Sequence, residues 1–163
     1  MFDRFPDEIP ILESERLILR KTTDEDLNDI IPIVCYQGTY AANIEDAKIL
    51  LGKLHAKYEN KIQLHWGIVL KENNKMIGSC DLYNFENNTG EIGIVVMAEV
   101  RNKGIATEAI SAMIDYGFKT LKLGGICAYV YDVRVASKAI MKKLNFTEVE
   151  SDEEDQRKYL FKA

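Results

Sequence analysis

The sequence predicts an α/β (α+β) fold in which a mixed, mostly antiparallel sheet with one parallel crossover carries helices on both faces. Three consecutive strand-like segments, 64–70, 75–85 and 91–97, are joined by short turns, and such connections favour antiparallel pairing. The apolar residues of 105–121 recur at helical spacing, and this helix lies between the strands 91–97 and 126–131. A helix that connects two strands in this way makes a parallel crossover, so we expect a mixed sheet.

The chain length indicates one domain. Its 163 residues, 47% of them hydrophobic, suffice for a substantial core but not for two ordinary domains. We divide the chain into an N-terminal arm, residues 1–12, which we expect to be loosely held, and a single domain, residues 13–163.

The first half of the domain predicts a strand and two helices ahead of the hairpin-joined strands. Residues 15–20 alternate apolar and charged side chains, which is typical of a strand. A capping box that starts at Thr22 or Thr23 begins the first helix, and Pro32 kinks or ends it. Asn43 caps the second helix. The apolar stripe of that helix consists of Ile44, Ala47, Leu50, Leu51, Leu54 and Tyr58.

The last part of the chain predicts a strand, a helix and a hairpin. The strand is 126–131, and a helix begins near Asp132. Asn145 stands where a helix end needs a left-handed residue, and asparagine is the best substitute for glycine there. The segments 146–150 and 158–161 form a closing hairpin around an acidic loop.

Composition excludes several classes of function. The net charge of −5 argues against a nucleic-acid surface, which needs clustered basic residues. No apolar run approaches the ~20 residues that span a membrane, and the N-terminus lacks a secretory pattern. Cys35, Cys80 and Cys127 are widely spaced, which predicts free thiols in a reducing cytoplasm that fill the core. His55 and His65 are far apart without a third ligand in view, so we expect no metal site.

The segment between the strand 91–97 and the crossover helix predicts an anion site. The first N–H groups of a helix lack internal partners, and the helix dipole favours negative charge there. Gly104 lets the backbone approach a phosphate closely, while Arg101 and Lys103 add positive charge. An ordinary strand–helix turn is the alternative interpretation. The Gly-Lys-Ser/Thr of a nucleotide P-loop and the G-x-G-x-x-G of a dinucleotide-binding loop are both absent.

The letters of this segment resemble the pyrophosphate loop of the GNAT acyltransferases, R/Q-x-x-G-x-G/A, and within that family the ribosomal-protein N-terminal (RimJ/RimL-like) acetyltransferases. The resemblance spans roughly residues 13–162. The matching segments are Arg101-x-x-Gly104-x-Ala106, Thr107-Glu108-Ala109, Glu91-Ile92-Gly93, Ser137 with Lys143-Leu144-Asn145-Phe146, and Ser14-Glu15-Arg16-Leu17-Ile18-Leu19-Arg20. This resemblance implies the GNAT fold, in which two parallel strands splay apart to admit the pantetheine arm of CoA.

The resemblance also implies a binding site for acetyl-CoA as co-substrate. The main chain around Ile94–Val96 would pair with the pantetheine amides, and the backbone N–H groups of Arg101–Thr107 would bind the pyrophosphate. Arg134 replaces the family's Asn, which puts that contact in doubt, although Arg could reach a CoA phosphate. Asn102 replaces a family Gly; it would crowd the loop or adopt the same left-handed turn. The implied cofactor residues are Ile94, Val95, Val96, Arg101, Asn102, Lys103, Gly104, Ile105, Ala106, Thr107 and Arg134.

Two side chains are candidates for acid–base catalysis. Many GNAT enzymes use a Tyr as general acid for the CoA thiolate, but Met141 occupies that position here. In the resembled branch a Ser at the position of Ser137 is the candidate for this role; a helix-start serine that bonds the backbone is the alternative. Glu91 would deprotonate an ammonium, directly or through water; an exposed strand-edge carboxylate is the alternative.

The acceptor predicted by the resemblance is a primary amine: a protein N-terminus, a polyamine or a small amine. The acidic loop, 148–155, would attract such a cation, or is simply a solvated hairpin loop. Trp66, Tyr36, Tyr40 and Tyr83 line the acceptor pocket or belong to the core. The resemblance favours a homodimer. Two alternatives stay open: a degenerate module that binds acetyl-CoA without turnover, and an α/β domain that binds another phosphate ligand.

Overall fold

The computed structural model describes residues 2–162, which form a mixed sheet flanked by helices, so the predicted fold class is confirmed. The helices are α1 Leu27–Ile30, α2 Ile44–Glu59, α3 Ile105–Lys119 and α4 Val135–Lys143, with short 3₁₀ turns at Asp24–Asp26 and Ala98–Val100. The strands are β1 Leu12–Glu13, β2 Leu17–Arg20, β3 Cys35–Tyr36, β4 Thr39–Tyr40, β5 Gln63–Leu70, β6 Met76–Glu86, β7 Thr89–Val96, β8 Gly125–Tyr131, β9 Thr147–Val149 and β10 Gln156–Lys162.

Eight of these strands form one sheet in the order β1-β2-β5-β6-β7-β8-β10-β9. Strands β5, β6 and β7 pair antiparallel through short turns, as their spacing predicts. Among the strands of residues 2–162, β7 and β8 form the single parallel pair, and α3 is the crossover between them. The small β3–β4 hairpin stands outside the sheet and was not predicted.

Alternating side chains divide the core between the two faces of the sheet. On β2, Leu17 and Leu19 are fully buried in the cluster that includes residues of α3 and α4. Between them, Ile18 packs against the other cluster, to which α1 and α2 contribute. This period-two alternation is what a strand requires, and it puts helices on both faces as expected.

Strands β7 and β8 pair along only a short part of their length. The paired residues are Thr89 with Gly125, Gly90 with Ile126, and Glu91 with Cys127. β7 nevertheless continues to Val96, while β8 continues to Tyr131 and pairs with β10. Beyond Glu91, the edge of β7 that faces β8 therefore has no strand partner within residues 2–162.

The N-terminal residues pack against the domain, so the expectation of a loosely held arm is wrong for the described part of 1–12. Phe5 is buried, and the indole N–H of Trp66 donates to the Pro10 carbonyl at 2.8 Å. The Phe2 ring stacks on Phe85 with 4.6 Å between centroids. β1 begins inside this segment and extends the sheet by pairing with β2. Aromatic burial and one strand pairing thus hold the segment in place.

The residues predicted at the helix ends have the expected roles, but the first helix is shorter than the sequence predicts. Asn43 caps α2 by accepting from the Asp46 N–H at 2.9 Å, and Asn145 is left-handed with φ 62°. Of the two possible capping boxes, Thr23 with Asp26 forms. The element that follows is a 3₁₀ turn and only four residues of α-helix, which end just before Pro32.

Asp26 links this turn to the sheet, which predicts a pH-dependent stability. The Arg20 guanidinium donates to both its oxygens, at 2.8 and 2.9 Å, and the Thr23 N–H donates at 2.8 Å. Burial alone would raise the pKa of Asp26, but these hydrogen bonds outweigh it and hold the pKa below its ordinary value. The stabilisation is therefore present at neutral pH and is lost as the pH falls through the lowered pKa.

We expect Asp26→Asn to lower the free energy of unfolding by ~1.5–3 kcal/mol at pH 7, because it weakens charge-assisted hydrogen bonds. The difference from wild type should shrink below the ordinary carboxyl pKa of about 3.9. Urea unfolding at neutral and acidic pH measures both values. Asp24→Asn, an exposed acid of the same turn, is the control. An equal deficit at both pH values would contradict the role of the charge.

Candidate active site

A cleft of about 750 Å³ opens between the end of β7, the loop before α3 and the start of α4. It is lined by Ser137 and by every predicted cofactor residue except Lys103. The arrangement follows from the topology: the β7–β8 splay leaves the gap, and the crossover returns α3 to its edge. Residues far apart in the chain are thus brought together, with Ile94 on one wall and Arg134 on the opposite one.

The loop has the backbone geometry that an anion site needs. Asn102 and Gly104 both adopt left-handed conformations, with φ values of 60° and 78°. The left-handed alternative for Asn102 is therefore the one that the structure adopts. Helical hydrogen bonding resumes when the Glu108 N–H donates to the Gly104 carbonyl at 3.0 Å. The amides of the preceding turn lack such intrahelical partners and can bind an anion.

The basic side chains of the loop brace its backbone. Arg101 Nε donates to the Val96 carbonyl at 3.1 Å, which ties the loop to the end of β7. Lys103 Nζ donates to the Glu99 carbonyl at 2.9 Å, which explains why Lys103 does not line the cleft. Both cations add positive charge near the loop, and their hydrogen bonds to backbone carbonyls stabilise its conformation.

A polar cluster behind the loop was missed by the sequence analysis. The Glu108 carboxylate accepts hydrogen bonds from the Ser14 hydroxyl at 2.6 Å and from the Arg16 N–H and Nε at 2.7 Å each. Arg16 also donates to the Lys103 carbonyl at 2.9 Å. The segments that contain these residues matched the family motif separately. These residues are far apart in the chain, so nothing in the sequence indicated their contact other than an acid in the first turn of α3.

Ser137 and Arg134 lie at the start of α4. Arg134 precedes the first helical residue, and Ser137 is half-buried on the cleft side. Arg134 is the N-cap residue of α4, and its side chain makes no capping hydrogen bond. Met141, one turn further on, is buried in the core. A side chain at position 141 would therefore need different packing to reach the cleft.

A second cleft, of about 630 Å³, lies on the opposite face of the sheet and contains Glu91. Tyr83 donates to Glu91 Oε1 at 2.6 Å, and the Asn84 amide donates to Oε2 at 2.8 Å. Burial and then the Glu91 carboxylate raise the pKa of Tyr83, so this phenol remains a donor. The two donors fix the carboxylate at the point where β7 and β8 separate. The structure thus places Glu91 and Ser137 in different clefts, on either side of the splay.

The second cleft is rich in carboxylates. Asp152 accepts from the Tyr129 hydroxyl at 2.7 Å, and the Lys158 ammonium lies 5.0 Å from the centre of the Tyr129 ring. The carboxylates that line the cleft are Glu86, Glu91, Asp152 and Glu153, against the single cation Lys158. Two members of the acidic loop 148–155 therefore line this cleft.

The structure also locates the aromatic and cysteine residues that the sequence analysis singled out. Trp66 is fully buried, so it belongs to the core rather than to a pocket. Tyr40 is exposed on the β3–β4 hairpin, away from both clefts. Cys127 lines the second cleft, but burial and then Glu91 raise its pKa to about 11, which keeps the thiol protonated. The expected free thiols are confirmed for all three cysteines.

Two further findings concern residues 2–162 only. No group of three or more histidine, cysteine or acidic side chains in this range is arranged to hold a metal ion. None of its helices is both long and apolar enough to cross a membrane.

Comparisons with known proteins identify the family. A family model described as "Acetyltransferase (GNAT) domain" matches residues 16–147. The "Uncharacterized N-acetyltransferase YoaA" of Bacillus subtilis (strain 168) is 32% identical over 146 residues, which cover 84% of this chain and 82% of that protein. The chain therefore belongs to the GNAT acetyltransferase family, as its motifs predict, and is an acetyltransferase.

Solved structures share its fold. The ribosomal-protein-S5-alanine acetyltransferase of Vibrio fischeri superposes with a TM-score of 0.76 at 20% identity, over 94% of this chain and 96% of that one. The microcin C7 self-immunity acetyltransferase MccE, determined with acetyl-CoA and AMP, has a TM-score of 0.77 at 19% identity, over 92% and 94% of the two chains. At these identities the likeness establishes the GNAT fold.

The loop geometry predicts how a substitution at Gly104 affects acetyl-CoA binding. A ligand that binds only the folded state stabilises it, by ~2.7 kcal/mol at one hundred times its dissociation constant. We expect acetyl-CoA to raise the melting temperature of the wild type. Gly104→Val should abolish this shift, because the side chain strains a left-handed residue and its Cβ would lie 3.3 Å from Arg16 Nη2, which disturbs the turn that carries the loop amides.

Gly38→Val is the matched control. Gly38 has the same left-handed conformation, with φ 79°, and no atom lies within 4 Å of the position of its Cβ. It should carry a similar backbone strain, yet its melting temperature should still rise with acetyl-CoA. Retention of the full shift in Gly104→Val would show that the cofactor binds elsewhere.

Proposed function

We propose that this chain transfers an acetyl group from acetyl-CoA to a primary amine by direct attack in a ternary complex. The observation that carries the proposal is the β7–β8 splay, with the anion-binding loop on one side and a carboxylate-lined cleft on the other. Positioning two reactants in this way can contribute ~7–11 kcal/mol to lowering the barrier.

The cleft on the loop side fits acetyl-CoA. The loop amides from Arg101 to Thr107 would bind the pyrophosphate, and the left-handed conformation of Gly104 allows the tight turn of this loop. The edge of β7 at Ile94–Val96 has no strand partner within residues 2–162 and offers N–H and C=O groups at strand spacing, one of which, the Val96 carbonyl, also accepts from Arg101 Nε. The pantetheine amides would pair with this edge, and one backbone N–H there would stabilise the thioester oxygen as it becomes negative.

Ser137 and Glu91 would act from opposite sides of the thioester. Ser137 lines the loop-side cleft, where its hydroxyl would donate a proton to the departing thiolate. Glu91, fixed by Tyr83 and Asn84, lines the opposite cleft, where it would take a proton from the ammonium directly or through water. The separation of the two groups suits a reaction in which donor and acceptor enter from different faces.

The acceptor is proposed to be a cationic amine. Four carboxylates and one lysine line the second cleft, so its field favours an ammonium over an anionic substrate. The name of the structurally similar Vibrio fischeri enzyme, ribosomal-protein-S5-alanine acetyltransferase, gives a ribosomal protein as its acceptor. For this chain the candidate acceptors are a protein N-terminus, a polyamine and a small amine. We further propose that the enzyme is cytoplasmic and forms a homodimer.

A module that binds acetyl-CoA without turnover is the second candidate function. Met141 favours it, because the residue at the position of the family's usual acid is buried in the core. A steady-state assay of CoA release with a panel of amines separates the two candidates. Turnover with any amine supports the transferase, while acetyl-CoA binding without release of CoA across the panel supports the non-catalytic module.

The proposed acid role predicts the effect of Ser137→Ala. Loss of one acid–base group typically lowers the rate 10²–10⁴-fold. We expect a fall in kcat of this order while the dissociation constant for acetyl-CoA barely changes. Ser111→Ala is the control, since Ser111 is also a helix serine but donates to the Thr107 carbonyl at 2.9 Å. If both variants keep full turnover, protonation of the thiolate does not depend on Ser137.

The proposed base role predicts a pH-dependent effect of Glu91→Gln. At neutral pH the amine is mostly protonated, so we expect a large fall in kcat. The deficit should shrink towards pH 9.5, where more of the amine is already neutral. Rate–pH profiles of the variant, the wild type and Glu72→Gln, an exposed acid in the β5–β6 turn, provide the measurement. A deficit that is equal at pH 7 and pH 9.5 would show that Glu91 is not the base.

A further inference from the structure

Arg16 lies at the back of the loop that begins α3, although it belongs to the N-terminal strand region. Its guanidinium contacts this loop at two points. Nη1 donates to the Lys103 carbonyl at 2.9 Å, and Nε donates to Glu108 Oε2 at 2.7 Å. A Cβ on Gly104 would lie 3.3 Å from Nη2. The guanidinium thus lies against the backbone turn itself.

The contact with Lys103 holds the most constrained part of the loop. Lys103 lies between Asn102 and Gly104, whose left-handed conformations reverse the chain. With its carbonyl bound to Arg16 on one side, the peptide planes of this turn are fixed in orientation. The N–H groups of the turn then remain directed at the cleft rather than sampling other arrangements.

The contact with Glu108 answers an electrostatic problem. Glu108 is an acid in the first turn of a helix whose N-terminus is proposed to bind a diphosphate, so its charge would repel the ligand. Burial raises the pKa of Glu108, but hydrogen bonds from Ser14 and Arg16 outweigh this and lower it, so the carboxylate is ionised at neutral pH. Arg16 supplies the compensating positive charge at 2.7 Å, on a carboxylate that is mostly shielded from water.

We propose that Arg16 is a positioning residue for diphosphate binding: it neutralises Glu108 and fixes the Lys103 carbonyl so that the loop amides face the ligand. This inference rests on the proposed function, in which the loop binds the pyrophosphate of CoA. It assigns to the N-terminal segment a part in cofactor affinity that is separate from the chemistry at Glu91 and Ser137.

The test compares two acetyl donors. Acetyl-CoA carries the diphosphate, whereas S-acetylpantetheine lacks both the diphosphate and the nucleotide. Arg16→Ala should raise the KM for acetyl-CoA roughly tenfold, because an ionised acid then lies uncompensated beside the loop. Its kcat should stay within about twofold of wild type. With S-acetylpantetheine the variant and the wild type should have the same kinetic constants.

A double variant separates charge compensation from general damage to the fold. Glu108→Gln removes the negative charge but keeps an oxygen that accepts from Ser14 and from the Arg16 N–H. Arg16→Ala combined with Glu108→Gln should therefore bind acetyl-CoA more tightly than Arg16→Ala alone. Lys119→Ala, which breaks the exposed Lys119–Asp115 pair at the other end of α3, is the control and should match wild type.

Each outcome has a distinct meaning. An unchanged KM for acetyl-CoA in Arg16→Ala, an equal loss with both donors, or a double variant weaker than the single one would overturn the role of Arg16. If the wild type itself shows no preference for acetyl-CoA over S-acetylpantetheine, the assignment of the loop in the proposed function fails instead. Melting temperatures of the ligand-free variants show which of them fold. Where Arg16→Ala alone does not fold, the double variant, measured with both donors, tests the role of Arg16.

Discussion

The early end of the β7–β8 pairing is the constraint on which the site depends. Parallel strands normally continue their hydrogen bonding, but here it stops after the Glu91–Cys127 pair. From that point β8 is held by β10 on its other side, and β7 by β6. The sheet therefore remains intact while a gap opens within it. The loop-side cleft lies beside the free end of β7, and the carboxylate-lined cleft contains Glu91, the last residue of β7 that pairs with β8.

The sequence predicted those features that arise from local patterns. The strands β5 to β8, the helix α3, the Asn43 cap and the left-handed Asn145 all follow from side-chain period or from turn chemistry within a few residues. The loop residues could be proposed as a cofactor site for the same reason, since the motif is contiguous in the chain. Its backbone geometry then agrees with the need for left-handed residues at Asn102 and Gly104.

The features that the sequence did not predict depend on contacts between distant segments. The arm was expected to be loosely held, yet Trp66 and Phe85 pack against it. The cluster around Glu108 joins residues more than ninety positions apart, and either half alone is an unremarkable set of polar residues. Tyr83 was placed among possible pocket aromatics, but its hydrogen bond to Glu91 could be seen only once the strand register was known.

The packing of the N-terminal segment has a consequence for the order of folding. Arg4 donates to the carbonyl of Lys122, 118 positions away, and its other amino group donates to Asn88. These contacts form only when the loop after α3 and the β6–β7 turn, both distant in the chain, lie beside this segment. Contacts of such large sequence separation carry a high loop-closure cost and slow the search for the native state. We expect docking of this segment to be a late step, which follows assembly of the central strands.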